Sequence, residues 1–143
     1  MPTWKCIIPD YDLISPNRLL RMKWFVQDRF KNEAINRLVV YGSPYPQYQG
    51  KVRMVIARMY GKRQRDLDTD NLYGGCKLLI DAMKTPKGRA RRCLSIIKED
   101  NPAALHLRVV QYKGESEHCE IGIWACPFEE ALDIPEEVAR LLD

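Results

Sequence analysis

The sequence predicts an α+β fold, one domain with a small mixed β-sheet covered by helices. Three observations lead there. Apolar residues recur at helical spacing in two stretches, Leu19 to Leu38 and Leu72 to Met83. They alternate with period two near the C-terminal end, in Leu105-x-Leu107-x-Val109 and again in Cys119-x-Ile121-x-Ile123-x-Ala125. Strand-like segments also lie before and between the helical ones, giving the order β-α-β-α-β-β-β-α, which suits a mixed sheet. A chain of 143 residues can bury such a core without disulfides or a structural metal.

The elements follow in chain order. Residues 4–8 read as a short strand stopped by Pro9. After a loop from Asp10 to Asn17, residues Leu19, Met22, Val26, Phe30, Ala34 and Leu38 share one face, so much of 19–40 is expected as one amphipathic helix, with Ser15-Pro16 resembling its start signal. Gly42 to Gly50, with Pro44 and Pro46, reads as a connector. Lys51 to Tyr60, rich in Val, Ile and Met, reads as a strand. Asp70 then looks like the cap of a second helix over 71–84, ended by Pro86 and Gly88 and followed by a basic loop. Leu94 to Ile97 is expected as a short strand. Leu105 to Val110 is a strand with one buried face, Lys113-Gly114-Glu115 a turn, and the segment from Cys119 its hairpin partner. A short helix over about 135–142 closes an acidic segment. The domain is expected to span 1–143, with a core over about 4–125 and an acidic C-terminal part over 126–143.

Composition excludes several classes. Hydrophobic residues make up 45% and charged residues 29%, which describes a soluble globular chain and not a disordered one. No apolar run is long enough for a membrane span, and the N-terminus has too few apolar residues for a signal peptide. The five cysteines are odd in number and hold no C-x-x-C pair, so reduced, mostly core thiols in the cytoplasm are expected in place of a zinc or redox motif. Trp4, Trp24, Trp124 and Tyr112 are read as core or dimer-interface residues in preference to base-stacking groups.

The net charge of +4 hides an asymmetry. From Glu115 onward, nine acids face one base (Arg140), leaving −8 there and +12 on residues 1–114. Lys51–Arg65 and Lys84–Lys98 each hold six bases and no acid, and between and beside them lie Asp66, Asp68, Asp70, Asp81, Glu99 and Asp100. Basic flanks around an acidic knot suit a polyanion held against a metal, although a solvated surface of mixed charge would read alike.

The knot centres on Asp66-Leu67-Asp68-Thr69-Asp70-Asn71-Leu72. An EF-hand reading fails, because Asn71 stands where the loop needs Gly and Lys77 where it needs a bidentate Glu. On an unbroken helix from Asp70, Lys77 and Asp81 fall within about 20° of its direction, with Gly74 within about 40°, so they form an exposed stripe. Capping by Asp70 and a Lys77–Asp81 pair would explain those three residues alone. Asp68 and Asp70, two apart in an extended stretch, share a face, and Glu99-Asp100 can add a carboxylate from another element. Such oxygen donors suit Mg²⁺, which activates water and offsets phosphate charge, and Lys77 can stabilise charge on the phosphoryl oxygens. Gly74-Gly75 costs about 1 kcal/mol per Gly within a helix. Either another backbone approaches there, from DNA or a partner subunit, or the helix begins after Gly75.

Asp68-x-Asp70-Asn71-Leu72, the downstream Lys77 and Asp81-Ala82, and Ile96-Ile97-Lys98-Glu99-Asp100 resemble the RusA family of Holliday junction resolvases, common in phages and prophages. Pro16-Asn17-Arg18-Leu19 is similar to that family's N-terminal loop, and Leu107-x-Val109-x-Gln111-x-Lys113-Gly114 to its later strand and turn. The resemblance implies a RusA-like fold and a homodimeric, Mg²⁺-dependent endonuclease, with Mn²⁺ a substitute, that nicks opposing strands of branched DNA at a four-way junction. It implies a catalytic set of Asp68, Asp70, Lys77 and Asp100, with Asp68, Asp70 and Asp100 as metal ligands. The chain departs from the family in a longer Asp70–Lys77 spacing and in Glu99-Asp100 where an Asp pair is usual. Asp66 has no counterpart and is read as a supporting or solvated neighbour. Arg58, Lys62, Arg63, Arg65, Lys87, Arg89, Arg91 and Arg92 are the expected phosphate contacts, which suits recognition of shape over sequence. Two rivals stand beside this reading: a junction-binding protein that does not cut, and a metal-dependent nucleotide phosphohydrolase. The acidic C-terminal segment is either a solvated outer face or a dimerisation surface.

Overall fold

A computed structural model describes residues 3–86 and 93–143. The elements are β1 (Trp4–Ile8), α1 (Pro16–Leu20), α2 (Trp24–Gly42), β2 (Val52–Tyr60), α3 (Thr69–Gly75), α4 (Lys77–Met83), β3 (Leu105–Lys113), β4 (Glu120–Pro127) and α5 (Glu136–Leu142). The expected α+β class with a mixed sheet is what forms. Among the described residues there is one four-stranded sheet, ordered β1-β4-β2-β3. β2 and β3 run parallel, and β4 is antiparallel to both β1 and β2.

The hairpin expectation is corrected by this order. β4 does not pair with β3 but inserts between β1 and β2. Its interior is buried at six consecutive positions, Ile121 to Cys126, the pattern of a strand covered on both faces. Trp124 packs its ring across Gly122, where an added Cβ would sit 2.4 Å from the indole. β3 instead reaches β2 through α3 and α4, because parallel strands need a long crossover.

Two layers cover the sheet. On one face Val52, Met54, Ile56, Leu105, Val109, Ile121 and Ile123 pack with Ala34, Ile35 and Leu38 of α2 and Leu79, Ile80 and Met83 of α4. On the other, Val55, Ala57, Val110 and Trp124 pack with Val138 of α5 and with Leu132 and Ile134. The acidic C-terminal segment therefore covers the second face, through Val138 of α5 and through Leu132 and Ile134. Trp4 and Trp124 are buried as expected, and four cysteines (Cys6, Cys76, Cys119, Cys126) are buried and free.

Three helix and strand expectations change in detail. The first helix is two: Ser15 caps α1 by accepting from the Arg18 N–H, and the chain then turns through extended Lys23 into α2. No glycine or proline marks the break; the Gln27 side-chain amide holds the Met22 carbonyl across it, at 2.9 Å. The second helix is also two, capped by Asp68 and not Asp70, and interrupted at Cys76, whose N–H bonds back to Tyr73. Leu94 to Ile97 is no strand. Its N–H groups at Leu94, Ser95 and Ile97 bond to the carbonyls of Ala82, Lys84 and Met83. Those carbonyls at the end of α4 have no helical partner, so the segment satisfies them and is lost to the sheet.

Candidate functional site

Arg58 follows Val52, Met54 and Ile56 on the core-facing side of β2, and Gln111 follows Leu105, Leu107 and Val109 on that of β3. The two are register partners. Each ends an apolar stripe with a polar side chain, and together they build a clamp. Arg58, 2% exposed, donates from Nε and Nη2 to the two carboxylate oxygens of Asp12 at 2.7 and 3.1 Å. Its Nη1 donates to the Arg65 carbonyl at 2.8 Å. The Gln111 amide holds Leu67 by both backbone groups, accepting from its N–H at 2.9 Å and donating to its carbonyl. Burial pushes the Asp12 carboxyl up, but Arg58, the Cys119 thiol and the Leu13 N–H outweigh it and leave its pKa below the ordinary value. Desolvation likewise opposes the Arg58 charge, and Asp12 outweighs it.

This clamp corrects one expectation and explains another. Arg58 is not a phosphate contact, since its guanidinium is buried and fully engaged. What it does is fix the backbone of 65–67 at the carboxyl end of β2. That fixes where Asp68 and Asp70 begin α3. Lys62, Arg63 and Arg65 are exposed along the same loop, as expected of anion contacts. Lys87, Arg89, Arg91 and Arg92 lie outside the described residues.

Asp68 accepts from the Asn71 N–H at 2.8 Å and from the Asn71 side-chain amide at 3.1 Å. Asp70 follows in the first turn, exposed, and makes no hydrogen bond or ion pair with the described residues. Asp66 is exposed, in keeping with a solvated neighbour. Because Asp68 is the cap, Asp68 and Asp70 straddle a helix start and do not share the face of an extended stretch.

The remaining predicted residues gather at α4. Lys77 and Asp81 line a cavity of about 280 Å³ with Lys31, Lys84, Thr85, Pro86 and Cys93. Asp81 pairs with Lys84 at 3.3 Å and not with Lys77. Lys84 also reaches Asp100 at 3.6 Å. Desolvation works against the Lys84 charge, but Asp81, Asp100 and Glu99 together raise its pKa above the ordinary value. The backbone bonds from 94–97 to the end of α4 are what carry Glu99-Asp100 to this lysine. Lys84 was missed in the sequence because it reads as the last residue of a helix beside a basic loop.

Two groups thus stand on consecutive helices: Asp68 and Asp70 on α3, and Lys77, Asp81, Lys84 and Asp100 around α4. No hydrogen bond or ion pair among the described residues joins them. Nor do any three carboxylate, histidine or cysteine side chains among those residues close into a metal-binding group. The Gly74-Gly75 question has an internal answer. A Cβ at Gly74 would lie 2.7 Å from Pro16, and one at Gly75 would lie 2.8 Å from Leu13. The chain's own 13–16 segment makes the close approach.

No family model and no curated protein matches this chain. No helix among the described residues is long and apolar enough to cross a membrane.

Proposed function

We propose that this chain is a Mg²⁺-dependent endonuclease that resolves four-way DNA junctions as a homodimer in a reducing cytoplasm. The observation that carries the reading is the start of α3. There a carboxylate pair, Asp68 and Asp70, follows directly on the Arg65 and Leu67 backbone that Arg58 and Gln111 hold at the end of an exposed basic loop. Lys62, Arg63 and Arg65 draw a phosphate backbone toward that loop. Asp70 stands exposed and unengaged by the described residues, while Asp68 is oriented by Asn71.

The donors fit a hard cation in kind: all are carboxylate oxygens, and Mg²⁺ takes one or two of them and completes its shell with phosphate and water. Asp70 and Asp68 would hold it, with Asp100 as a further donor once released from Lys84. Bound there, the ion would acidify a water and offset charge on the scissile phosphate. Lys77, exposed at the start of α4, would receive phosphoryl oxygens, and Lys84 pairs with both Asp81 and Asp100.

The test is cleavage of a synthetic four-way junction with Mg²⁺. Asp70→Asn removes a charge from an exposed site and should lower the rate by about 10²-fold or more while leaving the fold intact. Undiminished cutting would sink the assignment. Asp68→Asn is the companion variant: Asn still caps the helix by accepting from the Asn71 N–H, while the charge and the oxygen that accepts from the Asn71 side-chain amide are lost.

A junction-binding protein that does not cut is the second reading. The engagement of Asp100 by Lys84 favours it, since a carboxylate already paired is a poorer metal ligand. It would bind junctions equally with and without Mg²⁺.

A further inference from the structure

α1 and α2 meet in an exposed aromatic patch, and Trp24, expected at a core or dimer interface, is not in the core. Trp24 is 78% exposed and Leu20 77%, against 7% for Trp4 and 2% for Trp124. Trp24 and Phe25 sit edge to face, ring centroids 5.8 Å apart at 89°, so the pair covers little of its own π surface. Lys23 Nζ lies 5.9 Å from the Phe25 centroid.

Charge says what belongs on it. Arg18 and Arg21 are exposed on the segment that leads into the rings, Lys23 is exposed beside Phe25, and the one acid within a helical turn of Trp24 along α2 is Asp28. Open aromatic faces set among cations are the two parts of a single-strand nucleic-acid site: rings stack bases, and cations track phosphates. A second copy of the chain fits less well, because interface cores are depleted of charge and three like charges would meet across a two-fold axis. Position agrees. Pro16, the first residue of α1, packs on Gly74 of α3, the helix whose first turn carries Asp70. The patch and the carboxylates are thus joined through one helix contact.

We infer that Trp24 and Phe25, with Arg18, Arg21 and Lys23, stack and hold an unpaired nucleotide of the DNA substrate. This rests on the reading that DNA is the ligand, and it adds what part of the DNA is gripped. Four-way junctions and other branched forms expose or readily expose such bases at the branch, whereas a continuous duplex does not.

The experiment is a fluorescence titration of the intact protein with a twelve-nucleotide oligo(dT) and, separately, with a fully paired duplex of equal length. Oligo(dT) should quench tryptophan emission, because only Trp24 of the three is accessible. Trp24→Ala should weaken oligo(dT) binding about tenfold and leave duplex binding within about twofold, while Trp24→Phe keeps most of the affinity. Equal oligo(dT) affinity of wild type and Trp24→Ala, with the circular dichroism spectrum preserved, would overturn the inference. So would self-association that Trp24→Ala abolishes, or binding to phosphatidylglycerol vesicles without binding to oligo(dT). Junction cleavage separates the two readings. If the wild type cuts junctions while Trp24→Ala binds oligo(dT) unchanged, the stacking site fails and the nuclease stands. If Trp24→Ala loses oligo(dT) while the wild type cuts nothing, the nuclease fails and the stacking site stands.

Discussion

Arg58 is a cation on the core side of a strand, and Asp12 is what makes that position tolerable. Removing one partner of such a pair leaves the other buried and uncompensated, which costs more than the pair itself contributes. Asp12 is partly open to solvent, at 38%, so the cost is discounted to about 2 kcal/mol for Asp12→Ala, read as a lowered urea midpoint. The pH dependence has a definite sign. The Asp12 carboxyl is held below its ordinary 3.8, so its contribution is complete above that value and is lost as pH falls through the depressed folded value. Wild type and Asp12→Asn should therefore differ in stability at neutral pH and converge below pH 3.8. A constant gap across that range would show that the pair is not what stabilises the loop. The sequence carried a usable sign of all this. Period-two counting along Val52, Met54, Ile56 puts Arg58 on the core face, but a run of six bases made it look like surface. Gln111 is the same case on β3. Lys84 had no such sign, since Asp100, the partner that ties it to another segment, lies 16 residues further along the chain.

Elements were legible where the pattern is local and misread where the partner is remote. β1, β2, β3, β4 and α5 fall close to their expected bounds, because alternation and turn residues are properties of the segment itself. The pairing of β4 depends on which strand leaves an edge free, and nothing within 119–125 encodes that. The failed strand at 94–97 was lost to helix-end carbonyls, again a distant demand. Gly74 is the instructive middle case. A glycine near the end of a helix costs about 1 kcal/mol relative to Ala, so Gly74→Ala would ordinarily stabilise. Here the new methyl would lie 2.7 Å from Pro16 Cγ, closer than real contacts allow, so α1 must shift off α3. The expected outcome is a lower Tm than wild type, with weakened oligo(dT) binding because Trp24 follows α1. Gly50→Ala is the control, since its Cβ would meet nothing within 4 Å. A Tm that rises in Gly74→Ala would mean the α1–α3 contact yields freely and does not set the position of the aromatic patch.

At the scale of the whole molecule, the position of charge counts for more than its sum. The α2, α3 and α4 side carries the basic loop from Lys62 to Arg65 and the exposed cations Arg18, Arg21 and Lys23, whereas α5, with Glu136 and Glu137 in its first turn, packs on the opposite face of the sheet. A net charge of +4 would suggest feeble attraction for DNA, but a polyanion samples the near surface: at physiological salt, charges beyond about 8 Å are largely screened. Binding to a four-way junction should accordingly weaken steeply with salt, by about 0.9 in log–log slope for each phosphate neutralised on a duplex arm. Lys62→Ala, Arg63→Ala and Arg65→Ala should each reduce that slope by up to roughly this amount. Glu136→Gln with Glu137→Gln changes the net charge by two but should leave the slope alone, because those side chains release no counterions from DNA. Arg58→Lys is the decisive contrast. It should lower stability and loosen the loop, yet the slope should stay put, because a guanidinium 2% exposed touches no phosphate. A slope that tracked net charge and ignored position would remove the basic loop as the grip. It would also remove the reason for placing the carboxylate pair at its end.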